Sequence, residues 1–189
     1  MAEVRTIAVI GAGPVGRSIA QLAARGGYRT ILEDLLPNAL RRAESEIRTQ
    51  LDRAVEAGGV SSDAASAALS RLEFAGTVED AARPADFVIE AVPEELESKI
   101  EIFTLLDKIC CPGTILASYL SSLSITEISR VTYRAKNCLG MRFAEPVDNE
   151  KKLEIIRGAE TDDDTVNTAV EVGRRLGREV VVVEDEGPS

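Results

Sequence analysis

Residues 11–34 combine glycines and a carboxylate at the spacing of a nucleotide-binding turn. Gly11, Gly13 and Gly16 follow a G-x-G-x-x-G pattern, and Asp34 comes eighteen residues after the last of them. The first glycine would permit a tight turn, the second would let a pyrophosphate approach the backbone, and the third would let a helix pack closely on a strand. Free amides at the start of that helix would then bind the phosphates, assisted by the helix dipole.

Pro14 and Val15, between the second and third glycines, fit the first turn of a helix. Proline is favoured at the first helical position, where its missing N–H costs nothing. Asp34 would accept hydrogen bonds from the hydroxyls of an adenosine ribose, and its charge would repel a 2′-phosphate. Two leucines follow it, so no adjacent cation offsets that repulsion, and Arg41 and Arg42 lie further on. These residues predict binding of NAD in preference to NADP.

The elements around these residues are those that such a site requires. An apolar, β-branched run at 6–10 is typical of a buried parallel strand, and an apolar helical pattern extends from Val15 to the glycine pair at 26–27. A second short strand at 30–33 ends immediately before Asp34. The order strand, glycine turn, helix, strand and acid makes the glycine pattern specific. The alternative is a glycine-rich strand–helix turn that binds no ligand.

Composition limits the remaining possibilities. The chain has 189 residues, enough for one domain with a sizeable core, and its net charge of −10 disfavours nucleic acids and anionic membranes as partners. No apolar run approaches the roughly 20 residues of a membrane-spanning helix. Cys110, Cys111 and Cys138 match no disulfide framework or metal-ligand spacing, and the chain has no histidine. We therefore expect a cytoplasmic protein without a metal ion.

Helical and strand patterns alternate along the rest of the chain. Helices are predicted at 37–58 and 61–69, after Thr77, and at 93–110, 125–131 and 161–177; strands are predicted at 72–75, 86–92, 114–117, 138–143, 152–156 and 179–183. This alternation predicts one Rossmann-type, doubly wound α/β domain over residues 1–189, with a mostly parallel sheet and helices on both faces. Ligands of such folds bind at the carboxyl ends of the strands. The turns after Ile10, Val92, Ala117 and Phe143 should therefore line one crevice.

Three later segments, together with the glycine turn, resemble a known family. They are VIEAV at 88–92, SSLSITEI at 121–128 and GMRFAEPV at 140–147. Their combination and spacing resemble the N-terminal NAD-binding domain of 3-hydroxyacyl-CoA dehydrogenases over nearly the whole chain. The resemblance implies hydride transfer between NAD and a 3-hydroxyacyl-CoA, a reaction of fatty acid metabolism.

The resemblance also assigns roles to individual residues. Asp34 matches the ribose-binding acid, and Glu94 and Lys99 match positions that line the cofactor site. Ser121 matches a serine between nicotinamide and substrate, and Glu154 matches the glutamate that orients the catalytic histidine. Simpler alternatives are a first-turn helix acid for Glu94 and a solvated surface lysine for Lys99. For Ser121 and Glu154 they are a local backbone cap and a strand-edge carboxylate. Because all four residues match in the expected turns, we favour a place in the site for them over these alternatives.

Three substitutions depart from the family pattern. Arg142 stands where the family has its catalytic histidine, while Glu145, beside Pro146, and Tyr119 each replace an asparagine. Arginine stays protonated, so it cannot accept the proton of an alcohol that loses a hydride. We expect Arg142 to pair with Glu154 or Glu145. The alternatives are an unpartnered arginine at the strand end and one that hydrogen-bonds a ketone.

The family continues into a helical C-terminal domain that supplies dimer contacts and much of the acyl pocket, whereas this sequence ends at Ser189. We expect an NAD-binding oxidoreductase domain with Ser121, Arg142 and Glu154 in the catalytic positions, impaired or dependent on a partner. Its partners would be NAD(H), an acyl-CoA, and a second copy or a separate helical chain. The alternative is a catalytically silent NAD(H)-binding or scaffolding module. A third possibility is a related enzyme with a carboxylated substrate that Arg142 binds.

Overall fold

A computed structural model describes residues 3–187, which form an eight-stranded sheet covered by helices. The strands are β1 (Thr6–Ile10), β2 (Arg29–Glu33), β3 (Leu72–Ala75), β4 (Phe87–Glu90), β5 (Ile115–Tyr119), β6 (Cys138–Phe143), β7 (Lys152–Arg157) and β8 (Glu179–Glu184). The helices are α1 (Pro14–Arg25), α2 (Pro37–Glu56), α3 (Ser62–Arg71), α4 (Val78–Ala82), α5 (Leu96–Ile109), α6 (Ile125–Ser129) and α7 (Asp163–Arg175), with a short 3-10 helix at Ala135–Asn137. Among the described residues, no helix is both long and apolar enough to cross a bilayer.

The strand order in the sheet is β3-β2-β1-β4-β5-β6-β7-β8. Every neighbouring pair is parallel except β6 and β7, which are antiparallel. The chain order reverses between β1 and β4, and such a switch point opens a crevice at the carboxyl ends of the strands. The predicted doubly wound, mostly parallel sheet is therefore confirmed, and its crevice lies beside the glycine turn.

The central strands are buried on both faces, which explains their continuous apolar runs. Ile7 and Val9 of β1 point to a core formed with α1, α2, α3 and α7. Ala8 and Ile10 point to a second core formed with α4, α5 and α6. Helices thus cover both faces of the sheet, as the sequence predicts.

Most helix starts agree with the sequence, but two differ. The predicted caps Ser61, Thr77 and Ser124 each accept the backbone amide three residues later. The prediction that residue 93 starts a helix is wrong, because α5 begins at Leu96. Glu95 is extended and occupies the cap position, and long-range hydrogen bonds of Glu94, described below, hold the preceding residue outside the helix.

The start of α7 also differs from the prediction, which placed Thr161 at the cap. Asp162 caps the helix instead, and its side chain accepts a hydrogen bond from the Thr165 amide. The Thr161 hydroxyl donates to the Cys138 carbonyl oxygen at 2.6 Å and accepts from the Gly158 amide at 2.9 Å. Thr161 therefore fastens the preceding turn to β6 and leaves the cap to its neighbour.

A buried ion pair lies under the crevice between β4 and β5. The Lys99 ammonium, on α5, is 2.8 Å from Glu90 Oε2 and also donates to the carbonyl oxygens of Tyr119 (2.9 Å) and Val92 (3.2 Å). The Glu90 carboxylate accepts from the Ser118 hydroxyl at 2.6 Å and from the Val92 amide at 2.8 Å. Both charged side chains are fully buried. The pair ties two strand ends and one helix together at the floor of the crevice.

Replacing one member of this pair should destabilise the chain strongly. Lys99→Met leaves Glu90 as an uncompensated buried charge, and we expect a loss of about 3–5 kcal/mol in the free energy of unfolding, measured with denaturant. Lys99→Met combined with Glu90→Gln should recover much of that loss, because the remaining group is neutral.

The matched control is the exposed pair of Arg83 and Glu79 on the surface of the chain. Arg83→Met should cost less than about 1 kcal/mol, since exposed ion pairs contribute little. A similarly small cost for Lys99→Met would contradict the assigned role of the buried pair.

Candidate functional site

Of the three glycines in the turn after β1, one leaves room for a ligand. Gly11 adopts a φ of 104°, and a Cβ there would lie 2.9 Å from the Ala91 carbonyl oxygen. A Cβ at Gly16 would overlap the Gly11 carbonyl oxygen, whereas one at Gly13 would meet nothing within 4 Å. Two glycines are thus required by the protein's own packing, and the third faces open space where a phosphate could approach.

The start of α1 faces this open space. Pro14 occupies the first helical turn, and the first amide of the helix that bonds a backbone carbonyl is that of Arg17, to Gly13 at 3.0 Å. Amides earlier in a helix have no intrahelical partner and can bind anionic oxygens. Val15 and Gly16 supply such amides, so this cradle fits the pyrophosphate of a dinucleotide.

Asp34 is held against the glycine turn by two backbone amides. Its Oδ2 accepts from Ala12 at 3.0 Å and its Oδ1 accepts from Leu36 at 2.9 Å. The side chain is half-buried, and each oxygen keeps a lone pair for a further donor. This placement fits a ribose diol whose attached phosphate lies on α1.

An apolar pocket of about 310 Å³ adjoins Asp34. Its walls come from the ends of β1 and β2, from α4 and α5, and from the segment after β4; the apolar side chains are Ile10, Leu35, Leu36, Val78, Val92 and Ile102. The pocket therefore lies where the base attached to an Asp34-bound ribose would be.

Glu94 connects the turn after β4 to the turn after β5. Its carboxylate accepts from three successive amides, those of Ser121 (3.0 Å), Ser122 (2.9 Å) and Leu123 (3.1 Å). Burial works to raise the pKa of Glu94, but these three hydrogen bonds outweigh it, and the net direction is down. Glu94 thus lies before α5 as a ligand of the neighbouring loop, which excludes the first-turn helix acid.

Arg142 and Glu154 face each other across the antiparallel β6–β7 pair. Arg142 Nη1 lies 2.6 Å from Glu154 Oε2, and Arg142 Nε donates to the Ser121 carbonyl oxygen at 3.2 Å. Lys152 adds a second cation 3.0 Å from Glu154 Oε1. Hydrogen bonds from Lys152 and Arg142, in that order, lower the pKa of Glu154. The arginine at the histidine position is therefore partnered, and its partner is Glu154.

The other two departures from the family pattern form a pair of their own. The Tyr119 hydroxyl, at the end of β5, donates to Glu145 Oε1 in the turn after β6. Burial, then the contact with Glu145, raises the pKa of Tyr119, so the phenol stays protonated. Glu145 is thereby engaged with Tyr119 and does not pair with Arg142.

The residues assigned to catalysis share one cavity of about 530 Å³. Ser121, Arg142 and Glu154 line it together with Ser122, Ile156 and residues 183–187. Gly11 and Asp34 line the separate apolar pocket, and Glu94 links the segment after β4 to the loop that lines this cavity. Lys99 lies beneath them and is fully buried, which excludes a solvated surface lysine.

Besides Glu90, sequence reasoning missed two acids of this region. Asp185 accepts from the Ser124 hydroxyl at 2.7 Å and from the Thr126 amide at 2.8 Å, and it lines the same cavity as Ser121, Arg142 and Glu154. No sequence pattern relates residues so far apart in the chain. Glu33 is buried beside Asp34. The sequence does indicate this residue, because an acid at the end of an apolar strand is unusual.

Removing Glu94 should loosen the loop that it binds. Glu94→Ala leaves three amides without their acceptor, so backbone hydrogen exchange at residues 121–123 should accelerate by at least about tenfold. Exchange measured by mass spectrometry or NMR checks this. Glu97→Gln, an exposed acid in the first turn of α5, is the control and should change nothing there. Unchanged protection in Glu94→Ala would contradict the role given to this carboxylate.

Comparison with known proteins agrees with this geometry. The family model described as "3-hydroxyacyl-CoA dehydrogenase, NAD binding domain" matches residues 6–186. A probable 3-hydroxybutyryl-CoA dehydrogenase of Bacillus subtilis is 39% identical, over 97% of this chain and 63% of that protein. A 3-hydroxybutyryl-CoA dehydrogenase of Bradyrhizobium diazoefficiens is 37% identical, over 97% of this chain and 62% of that protein.

The crystal structure of 3-hydroxybutyryl-CoA dehydrogenase from Escherichia coli K12 superimposes with a TM-score of 0.94 at 32% identity, covering 97% of this chain and 39% of that one. The chain thus spans about three fifths of the length of the two bacterial relatives. Its cofactor is NAD, as the matching family model specifies and the glycine cradle fits. The match over residues 6–186 shows that this chain belongs to the 3-hydroxyacyl-CoA dehydrogenase family, as its NAD-binding domain.

Proposed function

We propose that this chain binds NAD(H) and supports hydride transfer to or from a 3-hydroxyacyl-CoA only weakly, or only with a partner, because it lacks a proton acceptor. The observation that carries the proposal is the 2.6 Å ion pair between Arg142 and Glu154 in the catalytic cavity. Bound NAD supplies the hydride acceptor. The remaining requirement is a group that takes the hydroxyl proton of the substrate.

Among the described residues that line the cavity, the ionisable side chains are Arg142 and four carboxylates, and none of them is the histidine that suits this proton transfer. Arg142 stays protonated, and the chain contains no histidine that could replace it. Glu154 is held ionised by two cations with its pKa lowered, which makes it a poor proton acceptor near neutral pH. Arg142 can stabilise negative charge on a substrate oxygen, because it lines the cavity and 42% of its side chain is exposed. The cavity would then still stabilise negative charge on the substrate oxygen, but it would not supply a base for the hydroxyl proton.

The acyl-CoA substrate and further protein partners belong to the same proposal. The cavity lined by Ser121, Arg142 and Glu154 is open rather than enclosed by the described residues, which leaves room for further protein to cover it. We propose that a helical domain on another chain, or a second copy, completes the acyl pocket. The three free thiols fit a reducing cytoplasm, which is the location we propose.

The second candidate function is a catalytically silent NAD(H)-binding or scaffolding module. It is favoured by the same ion pair together with the Tyr119–Glu145 hydrogen bond, since both engage side chains at positions where the family would contact substrate. A carboxylated substrate bound by the exposed part of Arg142 is a further alternative. Binding and turnover measurements separate these candidates.

Coenzyme preference should depend on Asp34. The unaltered chain should bind NADH at least about tenfold more tightly than NADPH in a fluorescence titration. Asp34→Asn replaces the carboxylate that accepts hydrogen bonds from the ribose hydroxyls, so the affinity for NADH should fall by roughly 10- to 100-fold. The affinity for NADPH should not fall, because the charge that repels the 2′-phosphate is removed as well. Asp52→Asn, an exposed acid on α2, is the control. Equal affinity of the unaltered chain for both coenzymes would refute the role of Asp34.

Turnover should respond to the residue at position 142. Arg142→His places an imidazole opposite Glu154, and we expect reduction of acetoacetyl-CoA by NADH to rise by roughly 10²–10⁴-fold. The gain should vanish when Glu154→Gln is added. The assay is run with the chain alone and with the helical domain of a longer relative added separately.

Arg142→Gln controls for loss of the positive charge. If it gains as much activity as Arg142→His, a group that transfers the proton to or from the substrate oxygen is not what the chain lacks. No gain by Arg142→His, with or without the helical domain, would favour the silent module. A high rate of acetoacetyl-CoA reduction by the unaltered chain would contradict both the impaired enzyme and the silent module.

A further inference from the structure

Glu33, the last residue of β2, is a buried acid that the catalytic scheme does not use. Its side chain is only 2% exposed, and among the described residues its Oε1 has no hydrogen-bond partner. Buried polar atoms are nearly always paired in folded proteins, and leaving one unpaired costs stability. An unpaired oxygen at a ligand crevice therefore suggests that a ligand supplies the missing partner.

This oxygen belongs to a side chain that lines the apolar pocket beside Asp34. Glu33 and Ile10 occupy paired positions of β2 and β1, on the sheet face that carries α4 and α5. The other pocket-lining side chains are apolar apart from Asp34, so Glu33 is the one buried acid among the described residues of that pocket. A flat base between the apolar walls would have Glu33 as its buried polar neighbour, with Asp34 left to the ribose.

The charged surroundings of Glu33 set its protonation state. Burial raises the pKa of Glu33 to about 7, the charge of Asp34 adds to the effect, and the Gly11 amide opposes it. Glu90, on the same row of the sheet beyond Ile10, is already paired with Lys99. The lining residues of α4 and α5, Val78 and Ile102, carry no charge. Glu33 therefore changes between a neutral carboxyl and a carboxylate near neutral pH.

We propose that Glu33 is a specificity-determining residue for the coenzyme's base, and that its carboxyl group accepts a hydrogen bond from the 6-amino group of adenine. The inference rests on dinucleotide binding in this crevice, with Asp34 on the ribose and the base in the adjoining pocket. Either oxygen of a carboxylate accepts from an amino group but cannot pair with a carbonyl oxygen. Glu33 thus selects a 6-amino purine over a 6-oxo purine when it is ionised.

The test compares NADH with its hypoxanthine analogue, nicotinamide hypoxanthine dinucleotide in the reduced form, by fluorescence titration of the full chain. At pH 8.5 the unaltered chain should bind NADH at least about tenfold more tightly than the analogue, because the 6-oxo oxygen of the analogue would face the Glu33 oxygen where NADH places its 6-amino group. At pH 6 the neutral carboxyl can donate to the 6-oxo group, so the preference should shrink. Binding rather than turnover is the readout.

Two substitutions at position 33 separate recognition from folding. Glu33→Gln keeps shape and carries both a donor and an acceptor, so it should bind both coenzymes with similar affinity at either pH. Glu33→Leu should bind NADH several-fold more weakly than the unaltered chain and show no preference. Glu46→Gln, an exposed acid on α2, should leave the preference intact. Circular dichroism verifies folding, and Glu33→Gln carries the test if Glu33→Leu does not fold.

The outcomes also distinguish this inference from the proposed function. If the unaltered chain binds NADH and its hypoxanthine analogue within about twofold at pH 8.5, Glu33 does not recognise the base, while dinucleotide binding stands. If Glu33→Gln retains the full preference, the same conclusion follows. If the unaltered chain binds neither coenzyme, the proposed dinucleotide function fails and this inference fails with it.

Discussion

The buried pair of Lys99 and Glu90 is the interaction on which the geometry of the crevice depends. Removing two charges from water is expensive, and only close geometry with further hydrogen bonds compensates for it. Here the ammonium contacts three oxygens and the carboxylate accepts from a hydroxyl and an amide as well. Those partners are the backbone and side chains at the ends of β4 and β5. The pair therefore fixes the starting points of the turns that carry Glu94 and Ser121.

The Arg142–Glu154 pair shows that the side chain at one fixed strand position decides which chemistry its neighbour can support. In the β6–β7 register, position 142 faces Glu154 whichever side chain it carries. A titratable base at 142 would use this carboxylate for orientation and keep a free nitrogen for the substrate. Arginine uses the same carboxylate as a permanent counter-ion and also bonds the Ser121 carbonyl oxygen. The same strand pairing thus supports an ion pair in place of a proton acceptor.

The sequence predicts those parts of this structure that local chemistry decides. The limits of β1 and the start of α1 follow from a short apolar run, a glycine turn and a proline, all within eleven residues. The start of α5 could not be predicted, because the bonds that displace it join Glu94 to amides 27–29 residues away. The burial of Lys99 was equally out of reach, since it requires knowing that β5 lies beside β4. Lysine on an amphipathic helix is otherwise a surface residue.

The neighbours Glu33 and Asp34 show why residue type alone does not assign a role at this crevice. Asp34 is half-buried and receives two amide hydrogen bonds, whereas Glu33 lines an apolar pocket and one of its oxygens has no partner among residues 3–187. An apolar residue at position 33 would pack against Ile10 without that cost. A chain that keeps an unpaired acid there accepts lower stability at one position, and functional sites are where such local costs concentrate. Two adjacent carboxyl groups can therefore serve one ligand in different ways, one binding the sugar and the other selecting the base.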